Sequence, residues 1–208
     1  MPRPDWEERY QAGETPCDTG EPDEHLVEFL QCNPVERGRA LDVGCGTGTN
    51  AVWLAGQGFA VLGIDLSSTG IERARAKAGT KALDCHFARA DFLRDRLSDG
   101  PFDLVFDRGC FHVFDKAEDR ARFAERVASL LKRDGRWLSL IASTEGPERD
   151  QGPPRRSARD VISAIEPELE IIELRSVQFR ANLPAPLAAW RCLSRPRLVP
   201  AQPSTQRD

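Results

Sequence analysis

From residue 39 onward, short apolar runs alternate with stretches of helical periodicity. Residues 39–43 (Arg-Ala-Leu-Asp-Val) read as a strand that ends in a glycine-rich turn, and a helix over 50–57 follows, stopped at Gly58. Residues 59–64 give a second strand closing on Asp65. Ser67, Ser68 or Thr69 then caps a helix that runs to Ala78, with Glu72 at capping-box spacing from Thr69 and Gly79 as the stop. A weaker strand is read at 84–88. A clear one at 102–107 is set off by the turn Asp99-Gly100-Pro101. Over 116–131, Phe123, Val127, Leu130 and Leu131 fall on one helical face, and Asp134-Gly135 turns the chain into a strand at 136–142. Such alternation predicts an α/β, Rossmann-like sheet, mostly parallel, with right-handed crossovers and helices on both faces.

After residue 143 the pattern changes. Residues 144–156 are polar and rich in Gly, Pro and Arg, which predicts a long loop. Residues 158–165 read as a helix, and 169–179 with 188–194 as two strands, which predicts a C-terminal antiparallel hairpin at one sheet edge. The chain divides into an N-terminal segment (1–38), one domain (39–194) and a flexible tail (195–208).

Composition narrows the function classes. With 29 basic and 33 acidic residues and a net charge of -4, there is no basic footprint for nucleic acid. No apolar run approaches the ~20 residues of a membrane span, and the first ten residues lack a signal-peptide core. The six cysteines form no C-x-x-C pair and have no histidine at ligand spacing, so no metal site is expected. A soluble, cytoplasmic monomer is the expectation.

The chemistry concentrates at Asp42-Val43-Gly44-Cys45-Gly46-Thr47-Gly48, between a strand and a helix. The glycines let backbone N–H groups approach a ligand at the carboxyl edge of the sheet. The spacing is G-x-G-x-G rather than the G-x-G-x-x-G of dinucleotide sites, and an acid stands two residues before the first glycine. That acid would repel a pyrophosphate but suits a ligand carrying an ammonium and a sulfonium, which points to S-adenosylmethionine rather than a nicotinamide. Asp65, followed by Leu66, closes the second strand about 20 residues on, where a carboxylate can accept ribose hydroxyls. Ala90-Asp91-Phe92 follows the third strand, where the carboxylate can take the adenine amino group and the ring can pack on the base.

These residues resemble the class I S-adenosylmethionine-dependent methyltransferases over residues 39–143. A narrower likeness, to the thiopurine, thiol and halide methyltransferases, lies in Trp6-Glu7-Glu8-Arg9-Tyr10 with Gly13-Glu14-Thr15-Pro16, in Asp107-Arg108-Gly109, in Gly152-Pro153-Pro154 and in Trp190. The resemblance implies an N-terminal helical lid segment (1–38) over the cofactor, carrying Trp6 and Tyr10. It also implies S-adenosylhomocysteine as product and a small soft nucleophile as acceptor. Position 17 is Cys, where bacterial members commonly have an aromatic residue.

Arg108, just past the fourth strand, is the candidate to hold substrate, or else pairs with Asp107 or Asp115. Asp107 is assigned either to the reaction, through cofactor contact, or to fixing its turn. Cys110 is read as packing and His112 as helix-start hydrogen bonding, with a general-base role as the alternative. Trp53 and Trp137 are read as core, and Arg155 and Arg156 as loop arginines. Methyl transfer to sulfur is the leading reading. Transfer to O, N or C of a small metabolite is the nearest alternative, and a non-catalytic module that binds S-adenosylmethionine is the alternative from outside enzymes.

Overall fold

The computed structural model describes residues 5–33, 35–79, 82–97, 100–147, 152–183 and 185–197. Two N-terminal helices, α1 (Trp6–Ala12) and α2 (Glu24–Cys32), precede β1 (Arg39–Val43), α3 (Thr49–Gly56), β2 (Ala60–Asp65), α4 (Ser68–Ala78), β3 (Cys85–Arg89) and β4 (Phe102–Arg108). A 3-10 turn (Phe111–Val113), α5 (Ala117–Leu130), β5 (Leu131–Ala142), α6 (Ala158–Ile165), β6 (Leu169–Phe179) and β7 (Leu187–Pro196) complete the order. The strands form one sheet in the order β3-β2-β1-β4-β5-β7-β6. Strands β1 to β5 run parallel, and β7 lies antiparallel between β5 and β6.

Side chains of β1 alternate between two cores. Ala40 faces the side covered by α2, α3 and α4, where Phe29, Leu54, Ile71 and Phe106 are buried. Leu41 and Val43 face α5 and α6, among Phe123, Val127, Trp137, Val161 and Ile165. With helices on both faces β4 is buried from Phe102 to Asp107, its two aspartates included.

Four local expectations are corrected. The turn expected at 134–135 is a bulge inside a longer strand. Strand β5 starts at Leu131, directly after α5, and Asp134 and Gly135 lie within it, where the register slips from Phe102↔Leu131 to Leu104↔Arg136. A Cβ on Gly135 would stand 2.9 Å from the Phe102 carbonyl oxygen, so glycine serves close strand approach here. The cap of α4 is Ser67, whose hydroxyl accepts from Gly70 N–H at 2.9 Å, and the Thr69–Glu72 pairing is not used. Strand β7 runs through Pro196, and Arg195 forks onto Glu170 at 2.8 and 3.0 Å, so these two residues are not tail; residues 198–208, like Asp99, lie outside the described residues. Finally, residues 1–38 are not all lid, because α2 buries Leu26, Phe29 and Leu30 in the core. Its i, i+3, i+4 spacing after the cap Asp23 is a legible helix signal that the sequence reading passed over.

Candidate active site

Strand β1 sits between β2 and β4, where the strand order reverses, and ligands of open parallel sheets bind at the carboxyl edge of such a switch point. The glycine loop emerges there. Gly44 and Cys45 donate to the Ile64 carbonyl at 2.8 and 2.9 Å, tying the loop to the end of β2. Gly46 has a left-handed φ of +55°, and a Cβ on it would stand 2.5 Å from the Tyr10 hydroxyl. Gly48 (φ +76°) opens α3 and leaves no room for a Cβ beside Ala74 and Phe87. A Cβ on Gly44 would meet that of Cys110 at 3.1 Å. Cys45 is buried, and burial pushes its thiol well above the usual range.

The acids divide into three situations. Asp42 is 1 % exposed, accepts from the Ala51 backbone N–H, and its Oδ2 has no hydrogen-bond partner among the described residues. Burial, reinforced by the carboxylates of Asp107 and Asp65, pushes it up to about 8. A buried carboxylate with an unused oxygen and two acidic neighbours is a place where a cationic ligand is favoured. Asp65 ends β2 and accepts from Gly46 N–H and Ser67 N–H, each at 2.9 Å, which fixes its orientation against the glycine loop. Leu66, half-buried, follows it, and Ala90 N–H donates to the Asp65 carbonyl. Asp91 accepts from Leu93 N–H at 2.9 Å and remains partly exposed at the end of β3.

Two expectations change here. The Phe92 ring does not face the cleft; it is 4 % exposed and packs on Phe123 with centroids 4.5 Å apart. Asp107 is fully buried and occupied. It accepts from Phe111 N–H at 3.0 Å and Cys110 N–H at 3.2 Å, and from the Trp137 indole at 3.0 Å. Burial raises it to about 6 despite these bonds. Its geometry is that of a residue holding the turn after β4, not of one touching a ligand. Of the three acids expected at the cofactor, Asp42 and Asp65 converge on the glycine loop and Asp91 lies at the end of the strand beside β2.

The N-terminal segment closes over this edge. Asp5 caps α1, and Glu7 reaches the start of α4, accepting from the Ser67 hydroxyl at 2.7 Å and the Thr69 hydroxyl at 2.5 Å. The two hydroxyls hold the Glu7 carboxyl down at about 2. Tyr10 is pressed between Gly46 and Gly70, its phenol raised by burial and by the charge of Asp65. Trp6, half-buried, packs on the core beneath and carries the Arg9 guanidinium on its face. Further along, Asp18 accepts from the Thr47 hydroxyl at 2.7 Å, and Lys77 donates to the same oxygen. Asp23 N–H donates to Asn50 at 2.9 Å. Glu7, Asp18, Asp23 and Lys77 were not singled out in sequence, because each is an ordinary charged residue whose partner lies far along the chain.

Arg108 pairs with neither Asp107 nor Asp115. Its Nε donates to Asp23 at 2.6 Å, Nη1 to the Cys17 carbonyl at 2.9 Å, and Nη2 to the Arg180 carbonyl, while its plane lies on Phe179. It therefore clamps residues 17–23 and the β6–β7 loop to the end of β4. Asn182 adds to this, donating to the Pro16 carbonyl at 2.7 Å and the Asp18 carbonyl at 2.9 Å. His112 is 2 % exposed and its Nδ1 accepts from Ala142 N–H at 2.8 Å, which makes it a buried link to β5 rather than a helix-start partner. Arg156 donates to the carbonyls of His112 and Phe114 and to Asp115, and Trp190 donates to the Arg156 carbonyl. These contacts fasten the far side of the edge. Trp137 is core; Trp53 is only partly buried against it.

The family model for thiopurine S-methyltransferase matches residues 1–176. The chain belongs to the thiopurine S-methyltransferase family. It is 35% identical over 151 residues to "Probable thiol methyltransferase 2" of Arabidopsis thaliana, covering 72% of this chain and 65% of that one. It is 31% identical over 179 residues to "Thiocyanate methyltransferase 1" of Brassica oleracea, covering 85% and 76%. The chain thus spans about two thirds of the first relative's length. Among solved structures, one from work on conversion of a disulfide bond into a thioacetal group during echinomycin biosynthesis superposes with a TM-score of 0.76 at 29% identity, covering 87% of this chain and 85% of that one. A magnesium protoporphyrin IX methyltransferase from Synechocystis PCC 6803 with bound SAH shares the fold at a TM-score of 0.65 and 17% identity, covering 82% and 80%. The unused oxygen of Asp42 under the glycine loop fits the cationic end of S-adenosylmethionine. Among the described residues no helix is long and apolar enough to cross a membrane, and no group of three or more His, Cys, Asp or Glu is placed to hold a metal ion.

Proposed function

We propose that this chain transfers the methyl group of S-adenosylmethionine to the sulfur of a small thiol, thiopurine or related soft acceptor. The observation that carries the reading is Asp42, a buried carboxylate with a free oxygen at the carboxyl edge of β1, set beneath the glycine loop and flanked by Asp65. Asp42 and the backbone of residues 44–48 hold the amino-acid end of the donor, Asp65 its ribose, and Leu66, Ala90 and Asp91 its adenine. When bound, the donor would supply an electrophilic methyl to a lone pair of the acceptor sulfur, with the electrons of the broken methyl–sulfonium bond staying on the departing sulfur and the acceptor proton going to solvent. The protein contributes position and exclusion of water, through α1 and the segment clamped by Arg108. A thiolate needs little base assistance near neutral pH, which agrees with His112 and Asp107 both being committed to backbone bonds. We further infer a monomer in a reducing, cytoplasmic setting without nucleic-acid partners; the six cysteines are scattered along the chain and form no C-x-x-C pair.

The test is methyl transfer from radiolabelled S-adenosylmethionine to a panel of thiols, thiopurines, selenols and halides. Product with at least one sulfur acceptor is expected; S-adenosylhomocysteine binding with no turnover on any of them would reject the reading in favour of a non-catalytic module. The latch at α4 gives a second expectation. Glu7→Ala should speed S-adenosylhomocysteine dissociation by roughly threefold to tenfold, the scale of exposed charge-assisted bonds. Stopped-flow displacement measures it, and an unchanged off-rate would remove α1 from the cofactor lid.

A further inference from the structure

A cavity of about 310 Å³ lies on the same carboxyl edge, one strand over from β1. Its walls are residues 19–24, the β6–β7 loop and the Arg108 side chain at the end of β4. Three carboxylates line it, Glu21, Asp23 and Glu24, against two guanidiniums, Arg108 and Arg180. Both guanidiniums are engaged. Each of the three nitrogens of Arg108 already donates, to Asp23 and to two carbonyls, and Arg180 pairs with Glu24 at 3.2 Å. Glu21 is exposed at the rim and has no ion-pair partner among the described residues. Leu183, 42% exposed, gives the rim an apolar side.

We infer that this cavity is the acceptor pocket and that it selects an uncharged or amine-bearing thiol over an inorganic anion. The inference rests on the methyl-transfer reading above and adds the charge class of the acceptor. An anion entering here meets a net negative wall, and its cationic partners are Arg108, committed to Asp23 in a nearly buried pair, and the exposed Arg180, already paired with Glu24. A thiol that enters protonated meets neither obstacle, can lay its carbon chain on Leu183, and gives up its proton to solvent only as its sulfur meets the sulfonium methyl. A protonated amine beside the sulfur gains the Glu21 carboxylate, and the ammonium also lowers the thiol pKa within the acceptor itself. The chain would then differ in acceptor charge from the anion named for its Brassica oleracea relative.

The experiment compares kcat/KM of the full chain for cysteamine, 2-mercaptoethanol, thiocyanate and iodide at low ionic strength. Both thiols should exceed both anions by about tenfold or more, with cysteamine ahead of 2-mercaptoethanol. Glu21→Gln should cut the cysteamine to 2-mercaptoethanol ratio by roughly threefold to tenfold, and Glu21→Lys should shift the ratio of thiols to anions toward the anions. Half-molar salt should collapse the cysteamine advantage in the unaltered protein. Thiocyanate or iodide used as well as the thiols overturns the inference while leaving methyl transfer intact. So does a cysteamine ratio indifferent to both Glu21 variants. Failure of every acceptor to yield S-adenosylhomocysteine overturns the methyl-transfer reading itself.

Discussion

Replacing Asp42 with asparagine is expected to raise the thermal midpoint of the ligand-free protein while weakening S-adenosylmethionine binding by roughly 30- to 100-fold. Both effects come from one carboxylate. Asp42 is desolvated and lies near Asp65 and Asp107, so its folded-state pKa stands at about 8, above the ordinary 3.8. Between those two pH values the folded chain holds a proton that the unfolded chain has released, so stability falls as pH rises through that window and the full penalty is reached above pH 8. Asparagine keeps the size and removes the charge. At pH 8 the gain should reach several kcal/mol, on the scale of ~1.4 kcal/mol per pKa unit and ~2–4 °C in Tm per kcal/mol, and it should vanish near pH 4. The donor's cationic end loses its counter-charge in the same variant. Calorimetric titration and melts at pH 4.5 and 8 measure the two sides. Undiminished binding would remove Asp42 from the donor site, and an unaltered midpoint at pH 8 would show that its charge is not costly.

The second large effect concerns Arg108. Its alanine variant should lose about 3 kcal/mol of stability, because Asp23 is left buried without its counter-charge, and Tm should fall by ~6–12 °C. Residues 17–23 and the β6–β7 loop lose their shared anchor at the same time, so KM for the acceptor should rise more than the Kd for S-adenosylhomocysteine. A double variant, Arg108→Met with Asp23→Asn, separates the two consequences. Asparagine still caps α2, and a neutral pair removes the stranded charge, so most of the stability should return while the acceptor KM stays high. If Arg108→Ala melts like the parent protein, Arg108 does not clamp residues 17–23 to the end of β4. If the double variant restores KM as well, the guanidinium has no part in shaping the acceptor side.

How far the sequence reaches differs between residues of the same site. Asp42 and the three glycines of the loop were legible because strand, turn and helix are consecutive, so a few residues of sequence carry the geometry. Asp65 was legible for the same reason, as the residue that ends a strand. Asp107 looked equivalent and is not. Whether an acid at a strand end faces ligand or protein depends on what stands opposite, and here Trp137, thirty residues away, takes its second oxygen. Phe92 turned inward because Phe123 of α5 offers it a ring to pack on. Asp134-Gly135 forms a bulge rather than the start of the strand because Leu131 already pairs with Phe102, and regular pairing with β4 resumes at Arg136.

By itself, then, the sequence determined the parallel sheet, the glycine loop, the two acids that converge on it and the family, all of which depend on residues near one another along the chain or on periodicities set by helix and strand geometry. Only the tertiary structure decided which charges are spent on holding the protein together. Glu7 with Ser67 and Thr69, Asp18 with Thr47, and Arg108 with Asp23 join residues 29 to 85 positions apart or close to it. No local pattern records such pairings, because a surface-type charged residue becomes a latch only when the fold brings a complementary group within 3 Å and removes the water between them.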